Sequence, residues 1–179
     1  MTKENNACLF FLARENNKCR VIIVEYMFYY FSLFGVLVSL IICLYFKSFD
    51  FKSSIIGIVT VAFSMVYETV LGGYFGLYYY LNPKDSIIYM VLSAILLYPA
   101  LNIIYTMFLP KKKKAILGYT ATWMIAMLIF EYFSVISGTV VFTGWKPFPW
   151  SVVTYIVTYL WVYLIYRYLS NKRLSLKLS

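Results

Sequence analysis

The sequence predicts an all-α fold, a polytopic bundle of five transmembrane helices, and three observations carry the prediction. Of 179 residues, 63% are hydrophobic and only 13% charged, where a soluble domain has about 25% charged residues. The apolar residues fall in five runs of about 20 or more, each enough to cross ~30 Å of hydrocarbon at ~1.5 Å per residue. The runs lack the alternation of a membrane barrel, and a helix satisfies its own backbone hydrogen bonds in lipid.

The elements follow in order. Residues 1–20 read as a polar tail of mixed charge, broken by Cys8-Leu-Phe-Phe-Leu-Ala13, a patch too short to span and without a signal-peptide cleavage site. The first helix is expected over about 21–46, uncharged from Tyr26 to Phe46. Met27 opens its clean apolar run and is an alternative start to Met1. Lys47-Ser-Phe-Asp-Phe-Lys52 leads to a second helix over about 55–81, interrupted only by Glu68. Asn82-Pro-Lys-Asp85 is a tight turn, with Asp85 placed to cap a third helix over 86–109. Tyr98-Pro99 predicts a kink in that helix. After Pro110-Lys-Lys-Lys-Lys114 a fourth helix covers about 115–144, interrupted only by Glu131. Gly144-Trp-Lys-Pro-Phe-Pro149 leads to a fifth over about 150–169, and 170–179 is a basic tail. Connections this short place successive helices antiparallel and side by side.

The net charge of +9 comes from Lys and Arg lying between and beyond the apolar runs. That distribution points to topology and lipid headgroups, not nucleic acid. Lys111, Lys112, Lys113 and Lys114 read as a headgroup or topology anchor. With the C-terminus inside, ten Lys and Arg fall inside and six outside, which predicts a cytoplasmic C-terminus. The chain has no histidine, which excludes Ser-His-Asp and Cys-His catalysis and a Cys/His zinc site. Cys8, Cys19 and Cys43 form no C-x-x-C pair; Cys43 reads as a packing residue, and Cys8 and Cys19 as free thiols. No cofactor or metal site is expected, and the length leaves no room for a separate soluble catalytic domain. Leu71-Gly-Gly-Tyr-Phe-Gly76 lacks the ending of a phosphate loop, so its glycines read as packing positions. Trp145, Phe148 and Trp150 fit an interfacial aromatic belt.

Glu68 and Glu131 are the two features that need a reason, because a carboxyl group in hydrocarbon is costly. Both fall close to the midpoints of the expected helices, with no intramembrane Lys or Arg to neutralise them. Ser64, Gly72 and Phe75 share the helical face of Glu68, and Met127, Leu128, Ser134 and Val135 that of Glu131. Three readings compete: polar glue, with each acid protonated and hydrogen-bonded to a Tyr, Ser or Asn of a neighbouring helix; a proton or cation site; and paired-carboxylate catalysis on a lipid-soluble substrate. Asn102 and Tyr98 on the third helix complete the candidate intramembrane polar or ion site. The two acidic helices run in the same direction, and the second and third helices read as a parallel repeat of the fourth and fifth. Tyr67-Glu68 matches Phe130-Glu131, Ser86 matches Ser151, and Tyr98 matches Tyr163.

Leu97-Tyr-Pro-Ala-Leu-Asn102, Tyr105-Thr106, the lysine loop, Phe130-Glu131, Gly144-Trp145 and Ser151 together resemble a small uncharacterised multi-pass membrane family of endospore-forming bacteria. The likeness covers roughly residues 90–155. Many members carry an acid just before the Tyr-Pro pair, where this chain has Ser93-Ala94-Ile95. The resemblance implies a bacterial cytoplasmic membrane and a setting of sporulation, germination or envelope stress, and supplies no reaction. The expected function is that of a non-enzymatic membrane component acting through the lipid bilayer and through another membrane protein or itself. A small module for protons or cations is the alternative.

Overall fold

The computed structural model describes residues 2–47 and 50–177, and the side chains of 24–47, 50–112 and 114–171. Among the described residues, five helices are long and apolar enough to cross a membrane: Val24–Phe46, Phe51–Tyr74, Ser86–Met107, Lys114–Ile136 and Pro147–Asn171. The first lies within α1 (Thr2–Phe46), which is helical from Thr2 where a polar tail was expected to 20. Cys8 and Cys19 fall outside the described side chains, whereas Cys43 is a half-buried free thiol. The last span comprises a π turn, Pro147–Ser151, and α6 (Val152–Lys177), so helix continues past the expected end at 169.

The second and fourth helices are shorter than expected, and this places the site. α2 (Phe51–Tyr67) passes into a π turn, Glu68–Tyr74, and stops there; Tyr78–Tyr80 is a strand, β1. α5 (Lys113–Ile136) ends well before 144, and Val140–Phe142 is strand β2. The chain reverses at Gly76 (φ 59°) and Gly138 (φ 76°), conformations that cost glycine nothing. Tyr-Tyr-Tyr and Val-Val-Phe are good strand formers. They pair antiparallel in the register Tyr78↔Phe142, Tyr79↔Val141, Tyr80↔Val140. The pairing satisfies backbone groups that apolar surroundings would otherwise leave bare.

The third span is built from α3 (Ser86–Leu92), a π turn (Ser93–Leu97) and α4 (Tyr98–Met107). Pro99 has no N–H to offer the preceding turn, and the irregularity expected at Tyr98-Pro99 takes the form of that widened turn. Asp85 occupies the N-cap of α3 but makes no side-chain cap. Its carboxylate instead accepts the Asn82 amide at 3.4 Å. Ser86 is also diverted, its Oγ accepting the Tyr80 N–H at 2.9 Å.

Short loops do not make every sequence neighbour the closest packing partner. α1 packs on α4 and the turn before it, more closely than on α2. Tyr29 fastens it by donating to the Tyr89 carbonyl at 3.0 Å and meeting Ser93 Oγ at 3.2 Å. α2 packs on α4 and α6, and α5 on α6. At one end of the bundle, the lysine end, Lys47 donates to the Met107 carbonyl. There Lys52 also pairs with Asp50 at 3.5 Å and lies 5.4 Å from the Tyr166 ring centre. The core near this end joins Ile56, Tyr105, Tyr159 and Val162. The other, sheet end holds β1 and β2, and there Thr139 Oγ1 donates to the Glu25 carbonyl at 3.1 Å.

Candidate functional site

Neither acid lies at mid-helix. Glu68 opens the closing π turn of its span, and Glu131 stands five residues before Ile136 ends α5. Sequence spacing put them at midpoints because it counted the strand residues as helix. Both acids therefore sit toward the sheet end, beneath β1 and β2.

Glu68 is 2% exposed and is held by three phenols. Tyr78 donates to Oε2 at 2.9 Å, while Tyr98 and Tyr80 donate to Oε1 at 2.7 and 3.2 Å. The Tyr80 and Tyr98 hydroxyls are 2.7 Å apart, so these two and Oε1 close a triangle. The positioning is local in origin. Tyr78 and Tyr80 are alternate residues of β1, so both side chains leave the same face of the strand. Tyr98 arrives from the start of α4. Burial first, and the Glu68 charge second, push the Tyr78 and Tyr80 phenols above their ordinary value of 10.0. They stay protonated donors throughout the neutral range.

Glu131 is half-buried and has fewer partners. Ser151 donates to Oε1 at 2.5 Å and Tyr155 to Oε2 at 2.8 Å. Trp145 Nε1–H in turn donates to Ser151 Oγ at 2.9 Å, which orients the serine toward the acid. Ser151 and Tyr155 are four residues apart and so share one helical face. The phenol on Glu131 is Tyr155 and not Tyr163, the residue that spacing matches to Tyr98.

The two acids line one cavity of about 650 Å³, within the ~300–1,000 Å³ typical of small-molecule sites. Its polar groups include the two carboxyls with their hydroxyl donors, Asn102 and Thr60 on one side, Thr154 and Thr158 on α6, and the hydroxyls of Ser32, Ser64, Tyr67 and Ser134. Apolar and aromatic side chains make up most of the rest, and no Lys or Arg is among the described residues that line it.

Of the residues singled out from sequence, Glu68 and Tyr98 are bonded to each other and share the cavity with Glu131 and Asn102. Asn102 reaches neither acid; its amide donates to Thr60 Oγ1 at 3.2 Å, tying α4 to α2. Lys111, Lys112 and Lys114 are exposed at the opposite end, and the side chain of Lys113 lies outside the described residues. Gly72 packs as expected of an interface glycine, since a Cβ there would collide with Met90 Cε and meet the Tyr78 ring at 3.1 Å. Sequence reading missed Tyr78, Tyr80 and Tyr155. Alternation at Tyr78 and Tyr80 was the available signal, but it is meaningful only once the segment is seen as a strand. Among the described residues no group of three or more His, Cys, Asp or Glu is placed to hold a metal ion. No protein-family model matches the chain, and no curated protein and no solved structure is similar to it.

Proposed function

We propose that the protein is a non-enzymatic component of a bacterial cytoplasmic membrane, lysine end and C-terminus on the cytoplasmic side, that holds a small amphiphile between its helices. The observation that supports this reading is a cavity lined by both acids, charged or strongly polar only at their carboxyls and otherwise mostly apolar and aromatic with scattered hydroxyls. A polar pole set in an apolar chamber matches a molecule with a head and a tail. Contacts with another membrane protein, or with a second copy, are the means by which such a component would pass on its occupancy. The bacterial setting, and a link to sporulation, germination or envelope stress, rest on the family resemblance over residues 90–155.

Passage of protons or cations is the second reading, and it is favoured by the same meeting of two acids in one cavity. Against it stands Glu68, whose oxygens already accept three phenols.

Trp145 and Trp161 line the cavity and report on its contents. Protein in nanodiscs titrated with dodecanol should show saturable change in tryptophan fluorescence, removed by Thr158→Phe, which fills the chamber. A linear, non-saturating response in the intact protein would overturn the binding reading. Proton or potassium flux in proteoliposomes that disappears in both Glu68→Gln and Glu131→Gln would establish the second reading instead.

A further inference from the structure

We infer that the cavity selects amphiphiles with a cationic head, recognised by Glu131, that reach it sideways from the bilayer between α2 and α6. The inference rests on the binding reading above and adds the ligand's charge and its path.

The charge follows from what the cavity offers. Among the described lining residues the acids are Glu68 and Glu131, and no basic side chain opposes them. Glu68 is sealed by its phenols. Glu131 is half-buried and accepts one hydrogen bond on each oxygen, whereas a carboxylate has about four acceptor positions. The strand above it adds no donor, because Val140 and Phe142 have no hydroxyl. Spare acceptor capacity facing a chamber with no basic side chain among its described lining residues calls for a donor or a positive charge on the ligand. Aromatic faces strengthen the second choice. Phe130 adjoins Glu131 on α5 and is stacked by Phe28 at 6.3 Å, and Tyr67 meets Trp145 edge-on at 6.4 Å. All four rings line the cavity, and a desolvated cation gains from such faces.

The path follows from exposure. Val66 and Val70 on the second span, and Val153 and Val157 on α6, line the cavity. Yet they are 64, 39, 46 and 55% exposed on the bundle's apolar flank. Residues that face both the chamber and the flank form its mouth. Val66 and Val157 fall between the Tyr67–Thr154 contact at 3.4 Å and the stacked Phe63 and Trp161 at 4.9 Å, and Val70 and Val153 lie on the sheet side of the first contact. A ligand can place its head at Glu131 while its chain leaves through the valines into lipid.

The test uses the intact chain in nanodiscs of zwitterionic lipid, so that surface potential does not concentrate any probe. Dodecyltrimethylammonium, dodecanol and dodecanoate are titrated by tryptophan fluorescence. The expected order has the cation roughly tenfold tighter than the alcohol, with the carboxylate weakest. Glu131→Gln should bring the cation-to-alcohol ratio to about two, and Phe130→Leu, which keeps the acid, should lower it about threefold. Val157→Trp, at the exposed mouth, should slow binding of every probe. Equal affinity for cation and alcohol in the intact protein would overturn the inference and leave the binding reading standing. So would an undiminished ratio in both Glu131→Gln and Phe130→Leu. Unslowed binding in Val157→Trp would overturn the path. Failure of every probe to saturate would overturn the binding reading itself.

Discussion

Replacing Glu68 by Ala and by Gln separates a hydrogen-bonding role from a charge. In Glu68→Ala the Tyr80 and Tyr98 hydroxyls, 2.7 Å apart, still satisfy one another through one proton. The second proton of that pair and the Tyr78 hydroxyl are left without an acceptor in a buried site. Each orphaned buried donor costs about 1–3 kcal/mol, and measured interhelical bonds in membranes fall toward the low end. Two orphans and the void left by the side chain together cost about 3 kcal/mol. Glu68→Gln keeps an oxygen for Tyr98 and turns an amide donor toward Tyr78, whose phenol can accept. Its cost is the Tyr78 proton left without an acceptor and the loss of charge assistance, together about 2 kcal/mol. Thermal unfolding of detergent-solubilised protein should therefore show a drop of about 6–12 °C for Ala and about 4–8 °C for Gln, on the ~2–4 °C per kcal/mol of a chain this size. Equal drops would refute the reasoning, since the charge and not the acceptor geometry would then be what the phenols hold. An Ala variant as stable as the parent would remove Glu68 as an anchor altogether.

Other expectations follow from single contacts. Gly138→Ala puts a Cβ 2.7 Å from a Glu25 oxygen at φ 76° and should cost about 2 kcal/mol or more; Gly118→Ala, inside α5 with nothing within 4 Å, should instead raise the unfolding midpoint by about 1–4 °C. A double-mutant cycle on Thr60→Val and Asn102→Leu should give a coupling of about 0.6 kcal/mol, and zero coupling would show that the 3.2 Å contact carries no stability. Tyr78 and Tyr80 have phenols raised above 10.0 in the fold. Their contribution is full below that pH and is lost as pH climbs from there through the folded values. Unfolding midpoints should fall above pH 10.0, with a shallower slope in the Tyr78→Phe, Tyr80→Phe variant; an unchanged slope would rule these phenols out as its source.

The spans were legible because hydropathy over some twenty residues is a strong, local signal. The ends were not, because Tyr78–Tyr80 and Val140–Phe142 are as apolar as helix and only their partner across the bundle makes them strands. That one missed pairing moved both acids from mid-helix toward the sheet end. Tyr98 was found from its place on the third helix. Tyr155 was passed over because one tyrosine among nineteen stands out only when Ser151, one turn earlier, is already known to touch Glu131. Asn102 was noticed as a candidate partner of the acids, but amides pair with whatever lies opposite, and opposite it is Thr60.

The strand register also bears on the repeat. A two-fold axis along the bundle carries an in-plane strand into an antiparallel copy, and β1 and β2 are paired that way about Tyr79↔Val141. The centre lies eleven residues after Glu68 and ten after Glu131. The π turn Glu68–Tyr74 accounts for the extra residue, since a π turn is an α turn widened by one position. The same axis sets Tyr78 against Val140 and Tyr80 against Phe142. The first unit thus supplies two phenols to its acid from its strand, and the second unit supplies none. Ser151 and Tyr155, from the following helix, are what Glu131 has instead. The two stretches that the sequence reads as a repeat thus differ by hydroxyls at two positions. Glu68 is closed off as a brace for β1 and α4, and Glu131 keeps a free side toward the chamber. Giving the second strand its missing phenols, Val140→Tyr with Phe142→Tyr, should close Glu131 as well and abolish cation preference while raising the unfolding midpoint. A preference that survived both tyrosines would mean that Glu131 was never open to the ligand.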